Sequence, residues 1–160
     1  MALKPERYFV ADDMSYFMNE TAERGGFVVA STVGSGQAMD QGEALVTYTT
    51  APSGKVPLGC LMQDMVNKDL TQTHINYYKE EVQQGSKVLL WTNGTVVTNM
   101  IYPGQTPAAN KGAYLGPSGL LQVVGGNDAS VPFVGIFQSS KDADGYAKVK
   151  FSLPASTPRV

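Results

Sequence analysis

Residues 138–153, QSSKDADGYAKVKFSL, constrain the fold of this chain more than any other stretch. After Gly145, the apolar residues Ala147, Val149, Phe151 and Leu153 alternate with Lys148, Lys150 and Ser152. Side chains of a strand point to opposite faces in turn, so a period of two predicts a strand with one face on a core and the other in water. The run VPFVGIFQSS (131–140) lies just upstream and is rich in strand-forming residues. Asp144-Gly145 between the two runs is hairpin chemistry, because Gly adopts the positive φ that a tight turn demands. The same Asp-Ala-Asp-Gly could open a calcium loop. With Gly145 at loop position 6, Ser140, Asp142 and Asp144 fall at positions 1, 3 and 5, but Phe151 stands at position 12 where a bidentate Glu belongs. The stretch is expected to turn the chain without an ion.

Similar runs recur along the chain. FVVAST (27–32) and EALVTYTT (43–50) read as strands separated by a Gly-containing loop. KVLLWTNGTVVTNMI (87–101) reads as a hairpin through Asn93-Gly94, the preferred pair for a type I′ turn. AYLGPSGLLQVV (113–124) reads as a short hairpin turning over Gly116–Gly119. Residues 56–66 are ambiguous: Leu58, Leu61, Met62, Met65 and Val66 keep helical spacing, whereas Pro57 and Gly59 favour a strand. Residues 67–86 carry no clear pattern. Short strands with turn chemistry between them predict a mainly β chain, a small barrel or sandwich over residues 27–160.

The first 26 residues differ. MALKPERYFVA has no clean period and contains Pro5, so it reads as an extended arm with Tyr8, Phe9 and Val10 as its apolar part. Met14, Phe17, Met18 and Thr21-Ala22 then fall at helical spacing, Asp12 or Asp13 can cap an N-terminus, and Gly25-Gly26 can end it. The spacing predicts one short helix over 13–24, with Glu20 and Arg24 as an i, i+4 pair. Its Met/Phe stripe is a face to be docked on the protein body, or on a partner.

A chain of 160 residues with 42% hydrophobic content can bury a sizeable core in one domain. Only 16% of its residues are charged, against roughly 25% in an average soluble protein. A surface so poor in charge is either covered by copies or partners, or solvated without charge. The net charge of −2 and the scattered basic residues give no face for phosphate backbones, so nucleic acid is not an expected partner. The lone Cys60 cannot form an internal disulfide. No apolar run approaches a membrane span, and Lys4-Pro5-Glu6-Arg7 stands where a signal peptide would be apolar. These features predict a soluble protein made in the cytoplasm, without membrane contact.

Reagents for catalysis are scarce. His74 is the single histidine, and no His, Cys and carboxylate set has ligand spacing for zinc. Cys60 among Leu58, Leu61 and Met62 reads as a small buried hydrophobe. Glu80 and Glu81 are adjacent, and in a strand would face opposite ways. Gly54-Lys55 lacks the rest of a phosphate loop. Trp91 could line a sugar-binding face, although a lone Trp in a strand is more often core or interface. No enzyme, cofactor or metal is expected.

The run EEVQQGSKVLLWTNGTVVTNMIYPGQTPAANKGAYLGPSGLL, followed by VPFVGIFQSSKDADGYAKVKFSL, resembles the small head decoration (cement) proteins of tailed bacteriophages. The similar features are a Gly-containing lead into KVLLW, a Pro/Gly/Ala loop into AYL, and a final VGIF…DGYAKV hairpin. The likeness covers residues 80–153 well, 27–79 loosely, and the first 26 not at all. It implies a β-barrel or β-tulip homotrimer on the capsid exterior near local threefold axes, bound to the major capsid protein and reinforcing the expanded shell. No individual contact residue carries over from the family. The arm itself offers Leu3, Tyr8, Phe9 and Val10 as candidate capsid contacts, since aromatic and aliphatic anchors dominate many interfaces. The same arm could instead be a strand that completes the barrel. The rival function is a carbohydrate-binding or adhesion module on a virion or cell surface, with Trp91 and tyrosines facing sugar.

Overall fold

The computed structural model describes residues 3–4, 11–34, 44–64, 81–123 and 130–155. Strands dominate: β1 (Leu3–Lys4), β2 (Ala11–Met18), β3 (Ala22–Glu23), β4 (Phe27–Gly34), β5 (Ala44–Thr47) and β6 (Pro57–Asp64) come first. They are followed by β7 (Glu81–Val82), β8 (Lys87–Thr98), β9 (Gly112–Leu115), β10 (Leu121–Gln122), β11 (Phe133–Phe137) and β12 (Ala147–Ser152). A 3-10 turn over Pro117–Gly119 joins β9 to β10, where the Gly-Pro-Ser-Gly sequence was expected to reverse the chain. The mainly β architecture with a closed barrel is the fold class that the turn spacing predicts.

The barrel closes through five strands. β8 pairs with β2, β2 runs parallel to β5, β5 pairs with β4, β4 with β6, and β6 returns to β8. Closure leaves no free edge in this part of the molecule. The interior receives Met18, Val28, Val46, Leu61, Val88 and Leu90, at least one from each stave. Ala22 and Val82, from the two-stranded β3–β7 pair, join the same cluster and cap it.

β8 belongs to two sheets. Its first half is a barrel stave, and its second half, Asn93–Thr98, pairs along its length with β12. β12 then pairs with β11, β11 with β9 and β9 with β10. The hairpin expected at Asn93-Gly94 therefore does not form, because the strand passes straight through both residues. Asn93 pairs with Ala11 of β2 and with Ser152 of β12, so it stands where the two sheets part. Gly94, at φ +150, lies opposite Phe151 and lets the strand bend at that corner. Two β-rich runs around Asn-Gly look the same in sequence whether the pair turns the chain or bends it.

The helix expected over 13–24 is also corrected. Ala11–Met18 is a strand, and Ala22–Glu23 is another. Asp13 pairs with Leu90 and Tyr16 with Val88, so β2 takes one more residue than β8 over that interval. Such a bulge breaks the period of two and puts the apolar residues at a spacing that imitates a helix. β2 is a barrel stave, so the N-terminal segment and the residues after 27 share one body. At the arm, β1 pairs antiparallel with β8, Leu3 opposite Thr98 and Lys4 opposite Val97.

The larger core lies between the outside of the barrel and the second sheet. Phe27, Val29 and Cys60 from the barrel wall meet Val96, Ala113, Leu115, Val134, Phe137, Val149 and Phe151. Phe27 and Phe151 pack edge-to-face with ring centroids 5.1 Å apart. β4 and β6 are thus covered on both faces, Val28 and Leu61 inward and their neighbours outward. That double burial explains why residues 56–66 show no alternation, and it settles 57–64 as a strand. The β10 edge of the second sheet is covered by the preceding loop: Tyr102 N–H donates to Leu121 O, Leu121 N–H to Met100 O, and Val123 N–H to Gln105 Oε1.

Tyr48 joins the two layers. Its hydroxyl donates to Glu23 O at 2.5 Å and accepts from Gly26 N–H at 3.1 Å. The Tyr48 N–H and the Thr47 hydroxyl both donate to Glu20 Oε1 at 2.6 Å. Burial pushes the Tyr48 phenol well above its ordinary range, helped by nearby Cys60, Glu23 and Glu20 and opposed by the Gly26 N–H. Burial likewise pushes up the Cys60 thiol. Both groups keep their proton in the folded state to higher pH than in the unfolded chain. The stability this represents is intact below about pH 8.5 and is lost as pH rises through the ordinary thiol and phenol range. Urea titrations between pH 7 and 10.5 should show unfolding free energy falling in the alkaline limb, with Cys60→Ala flattening its first part.

Candidate functional site

The side chains of β12 split by face. Ala147, Val149 and Phe151 enter the core, whereas Lys148, Lys150 and Ser152 point outward. β9 follows the same rule, with Ala113 and Leu115 inward and Tyr114 outward. On β11 a register irregularity between Phe133 and Gly135 buries Val134 and Gly135 in succession and sets Phe133 and Ile136 on the outer face. Tyr114 and Phe133 pack edge-to-face there at 5.5 Å. Ile136 lies directly across from Lys150 and is 46% exposed, unusual for a large apolar side chain on a strand.

These residues frame an open groove of about 590 Å³. Phe133, Ile136, Gln138, Lys150, Ser152 and Pro154 line it. Gly135 lies so close to β12 that a Cβ there would meet Lys150 O at 2.2 Å, so backbone forms the floor. Among the described lining residues, Lys150 is the one titratable side chain. An apolar side chain of a partner can enter beside Ile136 while Lys150 meets a carboxylate at the rim.

The turn above the groove employs its acidic residues structurally. Asp142 Oδ1 accepts the N–H groups of Asp144 at 3.0 Å and Tyr146 at 2.9 Å, and Gly145 N–H donates to Asp142 O at 3.1 Å. Gly145 takes φ +85, the conformation for which Asp-Gly was read as a hairpin turn. β11 and β12 pair on either side of it. A thermal melt with added calcium should superimpose on one with chelator; a strong upward shift with calcium would contradict this reading of the turn.

The other candidates disperse. Cys60 is fully buried between the two layers. Trp91 packs half-buried against the larger core, which does not suit a sugar-stacking platform. Gly54 and Lys55 sit in an exposed turn. Glu81 lies in β7, opposite Glu23. Leu3 is placed by its backbone pairing with Thr98, while Tyr8, Phe9, Val10, His74 and Glu80 lie outside the described residues. No three His, Cys, Asp or Glu side chains among the described residues gather as a metal site. Sequence reasoning passed over Tyr114, Phe133 and Ile136. The signal was available for Ile136, since pairing VGIF against AKVKF places it on the lysine-bearing face.

No family model matches the chain, and no curated protein matches it either.

Proposed function

We propose that the chain is a structural virion protein that binds the outer surface of a phage capsid as a homotrimer and stabilises the expanded shell. The major capsid protein is its partner, and its role is attachment rather than catalysis. The observation that carries this reading is the outer face of the second sheet, where exposed Ile136 and Lys150 frame an open groove. The low charge fraction and the strand-and-turn likeness of residues 80–153 to head decoration proteins support it. Modest contacts suffice, because each further capsid subunit engaged by one trimer adds avidity.

Co-sedimentation with capsids tests the reading. The protein should pellet with expanded shells and stay in the supernatant without them. Saturable binding to free glycans, with no binding to shells, would favour the carbohydrate-binding alternative instead. The arm supplies a second test. A chain starting at Asp12 loses β1, whose pairing spans only Leu3 and Lys4 of the described arm, so it should melt close to the full chain yet lose most capsid binding. A truncated chain that still decorates shells at full occupancy would remove Leu3, Tyr8, Phe9 and Val10 as contacts.

A further inference from the structure

Asn93-Gly94 is the single Asn-Gly pair of the chain, and it lies inside a strand rather than in a turn. In such a pair the Gly main-chain nitrogen, unhindered by a Cβ, can attack the Asn side-chain amide. A new N–Cγ bond closes a succinimide ring and the Cγ–Nδ2 bond breaks. The Gly N–H proton, passed through solvent, leaves with Nδ2 as ammonia. Water then opens the ring at either carbonyl. The product is aspartate, or isoaspartate, in which the main chain runs through Cβ.

The native fold holds both reacting groups away from this step. Antiparallel strands exchange hydrogen bonds at every second opposed pair. Ser152 lies opposite Asn93, and Leu153 N–H donates to Thr92 O at 2.7 Å, so the next hydrogen-bonded pair along the ladder is Phe151 with Gly94. The Gly94 N–H is therefore engaged by Phe151 O. Gly94 is also buried, away from the water that must carry its proton. The main-chain groups of Asn93 turn to the other edge of β8, where Ala11 of β2 lies opposite. Ring closure needs the Asn93 main chain to rotate toward the Gly94 nitrogen. A strand paired on both edges cannot make that rotation without releasing a neighbour.

We propose that Asn93-Gly94 is a deamidation site closed by the native ladder, which reacts only in chains whose β8 has come away from its neighbours at this corner. The change is one-way. Residues before the pair are in register with β2 and β6, and those after it with β12. Isoaspartate adds an atom to the main chain between the two registers, so both cannot be kept. Aspartate sets a charge at a half-buried position where the two sheets part. A chain that opens here and converts is lost from the native pool, as any unfolded chain is when modification outruns refolding.

Peptide mapping by mass spectrometry tests the proposal, on the full chain held at neutral pH in native buffer and in urea above the unfolding midpoint. The tryptic peptide that follows Lys87 and ends at Lys111 contains Asn93, Asn99 and Asn110, so fragmentation assigns the converted residue. Conversion at Asn93 should run at least about a hundredfold faster in urea, because reaction in native buffer is limited to the open fraction. Phe151→Ala, which removes the side chain opposite Gly94, should raise the native rate by about a hundredfold. Should that variant not fold, the unaltered chain in urea below its midpoint gives the same reading, with a rate that rises with the open fraction. Gly94→Ala should lose most of the conversion in urea. The purified isoaspartate product, once refolded, should melt below the unaltered chain. Equal rates in the folded and unfolded chain, or a native rate unmoved by both Phe151→Ala and urea below the midpoint, would overturn the ladder as the gate. An Asn93 that stays intact in urea would overturn the site. A refolded isoaspartate chain with the native melting temperature would overturn the one-way consequence.

Discussion

Replacing Phe151 by Ala should lower the unfolding free energy by about 3–5 kcal/mol and the melting temperature by on the order of 10 °C. Phe151 is 2% exposed, meets Phe27 edge-to-face, and lies opposite Gly94, where β8 passes from the barrel to the second sheet. Truncation leaves a void bounded by the barrel wall and the β11–β12 sheet. Neither wall can collapse into it without breaking the ladder that both share through β8. Phe151→Leu keeps much of the volume and should recover at least half of the loss. Urea denaturation of the pair checks this; a loss below 1 kcal/mol for Phe151→Ala would mean that the two layers are not coupled there.

Gly119→Ala should destabilise by about 2–4 kcal/mol, combining left-handed backbone strain with overpacking. Gly119 takes φ +73, and an added Cβ would stand 2.3 Å from Tyr48 Cδ1. The ring is held at its other end, where its hydroxyl accepts from Gly26 N–H and donates to Glu23 O. Gly54 separates the two causes. It has nearly the same conformation, φ +70, with nothing around it to meet a Cβ. Gly54→Ala should therefore carry only the backbone share, about 1–2 kcal/mol. The double variant Gly119→Ala/Tyr48→Ala should lose less than the sum of its singles, since the clash disappears with the ring. Additive losses would show that Tyr48 is not held in the slot between the two glycines.

What could be read in the sequence follows from how cleanly each strand presents one buried face. β12 has one face on the core and one outward, and its alternation placed every residue from Ala147 to Ser152. The turn at Asp144-Gly145 was legible for the same local reason, since Gly145 needs positive φ and Asp142 caps the turn from within it. β4 and β6 are buried on both faces, which erases alternation and left residues 56–66 undecided. β2 carries an extra residue, which turned a strand pattern into a helical one at Met14, Phe17 and Met18. Asn93-Gly94 misled because a bend shared by two sheets uses the same residues as a hairpin. The grooved outer face escaped because it is assembled from three strands that no single run contains, with Tyr114, Phe133, Ile136 and Lys150 spread over β9, β11 and β12.

Attachment to an assembled shell is the central claim, and a density map of decorated capsids addresses it most directly. Electron cryomicroscopy of expanded shells incubated with the full chain should reveal a two-layered β body on the outer surface, three copies around local threefold axes. Density in which isolated copies stand apart, or shells left bare after incubation at saturating protein, would contradict the account.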